Sequence, residues 1–224
     1  SIESYASFKI KEPIADVVYN GTVQRLKPIV TDAAGNELTE DKDYTLKYTG
    51  DTFNAGLVTV RVAGIESAAQ YGMIDVTYQI LPADISEITK PTLSNMTYNF
   101  GSELKPTVPA IKYRNLSLIR NTDFTVEYIN NINVGTATAI ITGKGNYTGS
   151  IKADYEIQPK SISGAQVSSV APITYTGDEI TPDYTLTMNG NKTTLVENED
   201  YTVEFSNNVN VGNASVVFTG IGNY

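Results

Sequence analysis

Few kinds of side chain in this 224-residue chain can do chemistry. It has no Cys and no His. That removes thiol nucleophiles, disulfides, imidazole bases and the usual zinc and copper ligand sets. That leaves carboxylate chemistry or oxygen-ligated hard cations. Glu40, Asp41 and Asp43 form one acidic group, and Glu197, Glu199 and Asp200 form its counterpart. Paired carboxylates can exchange protons with a substrate or ligate calcium. Both groups fall in the turn before a strand, where Asp caps backbone N–H groups. The middle counterpart keeps only Asp123. A catalytic pair copied into successive spacers is not expected, so these carboxylates are read as caps. The expectation is that the chain is not an enzyme and needs no cofactor or metal.

Gly143-Lys144-Gly145-Asn146-Tyr147-Thr148-Gly149 has the look of a phosphate-binding loop. Such a loop needs a helix N-terminus after it to hold the anion. Here a strand pattern follows, and the motif returns as Gly220-Ile221-Gly222-Asn223-Tyr224, so turn chemistry is the expectation. The 15 tyrosines, with no Trp, fall mostly on inward positions or corners, where the ring packs and the hydroxyl finds a backbone partner. Tyr5, Tyr71 and Tyr113 are the candidates for exposed contacts.

These residues sit in a repeat. Asp123-Phe-Thr-Val-Glu-Tyr128 has upstream and downstream copies starting at Asp43 and Asp200, a period of about 80 residues, which must be recognised before any architecture is assigned. Phe124, Val126 and Tyr128 alternate as a half-buried strand does. A turn of Asn and Gly follows, Asn130 to Gly135 and Asn207 to Gly212, in residues that tolerate positive φ. The next strand sets Ala137, Ala139 and Ile141 on one face, matched by Val58, Val60, Val62 and by Ala214, Val216, Phe218. A third strand alternates Ile151, Ala153, Tyr155 and Ile157 inward. Upstream, each unit carries Tyr19, Tyr98 or Tyr175 near a Gly, then Pro28, Pro106 or Pro182. Extended segments at Ile29 to Thr31, Val108 to Tyr113 and Tyr184 to Met188 complete six or seven short strands per unit. No 3.6-residue apolar period runs for ten residues, so no substantial helix is expected. Short strands with Gly/Asn/Pro turns imply sandwiches. The expected fold class is all-β, three tandem sandwiches, with domains at 1–81, 82–159 and 160–224. Linkers of two or three residues at Pro82 and Pro159 are stiff, which implies an extended rod.

The formal charge is −9, from 16 basic and 25 acidic residues. No Lys/Arg cluster is available to neutralise phosphates, so nucleic acid is not an expected partner. No apolar run approaches the roughly 18 residues of a membrane span.

The string Tyr-x-Gly, Pro, Asp-Tyr-Thr-Val-x-Phe/Tyr, Asn-Asn-x-Asn-Val-Gly-x-Ala, Gly-x-Gly-Asn-Tyr-x-Gly and Tyr-x-Ile resembles the tandem bacterial immunoglobulin-like repeats of surface and secreted proteins, mainly of Gram-positive bacteria. The resemblance covers most of the chain. It is weakest in the first repeat, where Gly64-Ile65-Glu66-Ser67 replaces Gly143-Lys144-Gly145-Asn146. It implies an extracellular location at the cell surface or wall, a stalk or spacer role and flanking domains in a longer chain. The alternative it implies is an adhesin whose loops contact carbohydrate or a host protein. Some Gram-positive surface domains carry a Lys–Asn isopeptide bond. Lys27 and Lys105 align, as do Asn54, Asn133 and Asn210, but Thr181 stands where the third Lys would be.

The third repeat stops at Tyr224, the counterpart of Tyr147, without a closing strand, so apolar neighbours are expected to lie uncovered. Ala6 to Ile10 matches Ala153 to Ile157 in pattern. Two readings follow, a cut through a longer array or strand donation, in which residues 1–10 of one chain complete another chain head to tail.

Overall fold

A computed structural model of the chain describes residues 7–224. Strand makes up 40% of the residues and helix 6%, so the fold is all-β. Tyr5, one of the candidate contact residues, lies outside the described residues. So do residues 1–6 of the expected N-terminal strand.

Eight strands of six or nine residues carry the structure: β1 (Tyr44–Thr49), β2 (Gly56–Gly64), β3 (Met73–Leu81), β4 (Phe124–Ile129), β5 (Gly135–Gly143), β6 (Ser150–Gln158), β7 (Tyr201–Ser206) and β8 (Ser215–Gly220). One four-stranded sheet orders β1–β2–β3 and then Val17–Val18, and a second orders β4–β5–β6 and then Met96–Thr97. In the first sheet β1, β2 and β3 pair antiparallel in sequence order. In the Asn/Gly turns after β4 and β7, Asn130 and Asn207 take φ of 54° and 55°, the left-handed region that Asn tolerates. The fourth member returns parallel, with Val17 opposite Ile80 and Met96 opposite Ile157. In the third repeat β7 and β8 form a two-stranded sheet, and Gln166–Val167, Leu186–Met188 and Thr193–Thr194 form a separate three-stranded one.

The chain divides into two compact units, and each draws on parts of the middle repeat. One comprises Ser1–Thr89, Ala110–Val126 and Ile141–Ile151, the other Lys90–Pro109, Glu127–Ile140 and Lys152–Tyr224. In the first unit Phe8, Val30, Tyr44 and Val62 form a buried cluster, with Leu38, Leu46, Tyr71 and Ile74 packed against it. In the second, Leu186, Met188, Leu195, Tyr201 and Tyr224 do the same, flanked by Tyr98, Phe100, Tyr184 and Phe218. Each fully buried large side chain contributes about 1.5–3 kcal/mol through water exclusion. These clusters are what hold the thin sheets together.

The N-terminal segment differs from the expectation. Phe8 is 3% exposed inside the first repeat's own cluster, and Lys9–Ile10 pairs antiparallel with Val30–Thr31. The alternation of Phe8 and Ile10 therefore serves the first repeat itself. Donating this segment to another chain would empty a core position.

Candidate functional site

The acidic turns are caps, as their position before a strand suggests. Asp43, Asp123 and Asp200 each accept through Oδ2 from a backbone N–H four residues upstream, that of Thr39, Ile119 and Val196, at 2.7, 2.7 and 2.8 Å. The backbone carbonyl of each Asp also accepts from the residue that opens the glycine-rich segment, Ile65, Lys144 or Ile221, at 3.0, 2.8 and 2.9 Å. One aspartate thus ties the start of one strand to the end of the next, three times over. Glu40 is paired with Lys27 at 2.6 Å. Among the described residues no group of three or more acidic side chains is placed to hold a metal ion, and no helix is long and apolar enough to cross a membrane.

The glycine-rich segment carries contacts that the motif alone does not announce. It is a turn, as expected, and its glycines are required. Gly145 and Gly222 take φ of 65° and 64°. A Cβ on Gly143 would lie 2.6 Å from Thr148 N, and one on Gly220 would lie 2.7 Å from the Tyr224 carbonyl carbon. The tight turn pushes the following Asn and Tyr onto the preceding repeat. In the first unit, Asn146 Oδ1 accepts from Ala55 N at 2.8 Å, and Asn146 Nδ2 donates to Asn54 Oδ1 at 2.8 Å. Its backbone carbonyl accepts from Ala83 N, just after Pro82, at 2.9 Å. In the second unit Asn223 repeats all three bonds. Its Oδ1 accepts from Val134 N (2.9 Å), its Nδ2 donates to Asn133 Oδ1 (3.1 Å), and its carbonyl accepts from Lys160 N, just after Pro159 (2.9 Å). An amide side chain suits this role because one end accepts while the other donates.

The tyrosine beside each Asn supplies the apolar half. Tyr147 is 4% exposed and meets Tyr19 edge-on, with ring centroids 5.5 Å apart, and Tyr113 at 5.9 Å. Phe53 meets Tyr19 edge-on at 5.9 Å. Tyr224 meets Tyr98 edge-on at 5.4 Å and Phe100 at 6.4 Å. Lys160 Nζ sits 5.0 Å over the Phe100 ring, a cation–π contact. Burial, together with Tyr19, Asp123 and Tyr113, pushes the Tyr147 hydroxyl up to about 12. Burial, with Tyr98 and Asp200, does the same for Tyr224. Asp51 braces the first site by accepting from the Asn54 backbone N–H and side-chain Nδ2, at 2.9 and 2.7 Å. Those bonds, with one from Phe53 N, hold its carboxyl below the usual range.

The expected contact residues are placed otherwise. Tyr113 is buried, its ring taken up by Tyr147. Tyr71 is half-buried on Phe8, ring centroids 5.3 Å apart. It closes the short 3-10 turn Glu66–Tyr71, which stands in the first repeat where the Asn-Tyr loop stands in the others. Neither ring is freely exposed, because each fills a corner that its own repeat needs filled. Lys27 is ion-paired with Glu40 and Lys105 with Glu103, while Asn54 and Asn133 hold the Asn-Tyr loops. The signal that would have found the junction is co-recurrence. Asn146-Tyr147 and Asn223-Tyr224 recur 77 residues apart, within two of the 79 that separate Asn54 from Asn133 and Tyr19 from Tyr98.

No family model matches the chain, and no curated protein matches it significantly in sequence.

Proposed function

We propose that this chain is a structural spacer, three tandem immunoglobulin-like sandwiches forming a stiff extended segment of an extracellular bacterial surface protein. The observation that carries the reading is the duplicated junction. The same three hydrogen bonds from one asparagine, and the same buried tyrosine beside it, recur where one repeat meets the next. A connector that must only link domains needs no such contacts. A connector that must hold a fixed angle does, because a two-residue proline linker restricts the chain but does not set its direction. Each junction joins a polar register to an apolar wedge, which resists both twisting and bending.

Small-angle scattering tests the spacer reading. An elongated particle whose maximum dimension falls when both Asn146 and Asn223 become Ala supports it. A compact particle, or one indifferent to those substitutions, contradicts it.

A further inference from the structure

In the first two repeats the inner face of the middle strand is sealed. Val58, Val60 and Val62, and Ala137, Ala139 and Ile141, are all 0% exposed. The matching face of β8 is open, with Val216 38% exposed. It lines a groove of about 380 Å³ together with Val170, Ile173, Tyr175, Ile180 and Phe205. The walls of this groove have counterparts. Residues 173–174 precede Tyr175 as Val17–Val18 precede Tyr19 and as Met96–Thr97 precede Tyr98. In the first two repeats one strand, β3 or β6, lies between those pairs and the middle strand. Among the described residues nothing fills that place in the third.

A hydrogen-bond substitution marks the same gap. Tyr78 Oη donates to the Gln24 carbonyl, and Tyr155 Oη donates to the Leu104 carbonyl at 2.6 Å. The equivalent acceptor is Ile180, since Gln24, Leu104 and Ile180 each donate their N–H to the same turn position, at Thr52, Asn131 and Asn208. With no tyrosine present, Asn208 Nδ2 donates to the Ile180 carbonyl at 3.1 Å. In the second repeat, where the tyrosine holds that carbonyl, the matching Asn131 Nδ2 is buried without a partner. Asn208 therefore stands in for a hydroxyl that the groove is shaped to receive.

We propose that the groove is a strand acceptor, and that its occupant is an extended segment of alternating polarity joined to Tyr224 through two residues. The segment runs antiparallel to β8 and parallel to residues 173–174. It turns four apolar side chains inward in the manner of Ile151, Ala153, Tyr155 and Ile157, and its tyrosine takes the Ile180 carbonyl from Asn208. Attachment at Tyr224 follows from placement. Tyr224 N donates to Ile221 O at 3.1 Å, as Tyr147 N donates to Lys144 O at 3.2 Å. From Tyr147 the chain needs only Thr148 and Gly149 to enter β6. A segment so tethered meets the groove at an effective concentration on the order of millimolar, with little loop-closure cost.

The test appends a copy of the Thr148–Gln158 sequence after Tyr224. It is compared with the same extension carrying Ser at the four inward positions, and with the unextended chain plus the free peptide. The patterned extension should slow amide exchange at Val216 to Phe218 by about 10-fold or more and move the Asn208 side-chain amide resonances. An extension with Phe in place of its tyrosine should keep most of the protection and leave those resonances unmoved. Equal protection from the Ser-substituted extension, or none from the patterned one, overturns the acceptor. Protection by the free peptide but not by the extension overturns the tethered arrangement.

Discussion

The two junctions use identical polar contacts and different aromatic ones. At the first, Tyr147 packs on Tyr19 and Tyr113, Phe53 packs on Tyr19, and Tyr147, Tyr19 and Tyr113 are all buried. At the second, Tyr224 meets Tyr98 and Phe100, which are only half-buried, and a lysine covers part of the outer face. The three bonds of Asn146 and of Asn223 match one for one. The asparagine therefore defines how successive repeats engage, and the surrounding rings define how strongly. An amide tolerates little variation in the angle and spacing of its partners, whereas aromatic packing accepts several partners at 5 to 7 Å.

That division of labour is open to direct attack. Tyr147→Ala removes a buried ring and should cost about 3–5 kcal/mol in chemical denaturation. Tyr224→Ala should cost less, because its pocket is more open. Equal losses would mean that the deeper burial of the rings around Tyr147 adds nothing.

Alkaline titration should give the next largest effect. An unfolded tyrosine ionises near 10, while Tyr147 and Tyr224 hold their protons to about 12. Between those values the unfolded chain binds fewer protons than the folded one, so stability falls as pH rises. Below pH 10 their contribution is complete. Tyr147→Phe should flatten the fall at the first junction, which urea midpoints collected from pH 9 to 12 would reveal. A fall of unchanged steepness would place the coupled group elsewhere.

Most of the strands were legible because alternation is a strong signal where one face is buried. Ile151, Ala153, Tyr155 and Ile157 are all buried, as their spacing implies, and the uncovered face of the third repeat follows from comparing it with the second. The junction was harder to see. Asn146 and Tyr147 carry the marks of a turn, and they do form one. Their partners lie 91 and 128 residues away (Ala55 and Tyr19), a separation that local pattern does not encode. Tyr113 reads as exposed from local pattern for the same reason, since the ring that covers it, Tyr147, belongs to another loop.

A smaller effect should distinguish the junctions at acid pH. Asp51 has no carboxylate counterpart in the second repeat, where Asn131 to Gly135 is one residue shorter. Its carboxyl is held low chiefly by the Asn54 N–H and side chain, so its contribution is present at neutral pH and is lost as pH falls below about 3.8 through the folded value. The side-chain amide signals of Asn146 should shift in that range while those of Asn223 stay still. Parallel movement of both would remove Asp51 as the cause.

The central claim is that an asparagine on one repeat grips an asparagine-bearing turn on the one before. A double-mutant cycle between Asn54→Ala and Asn146→Ala measures that grip by itself. The account predicts that the two changes together cost less than their sum, by about 0.5–1.5 kcal/mol, with a similar coupling for Asn133→Ala and Asn223→Ala. Strict additivity at both junctions would contradict it.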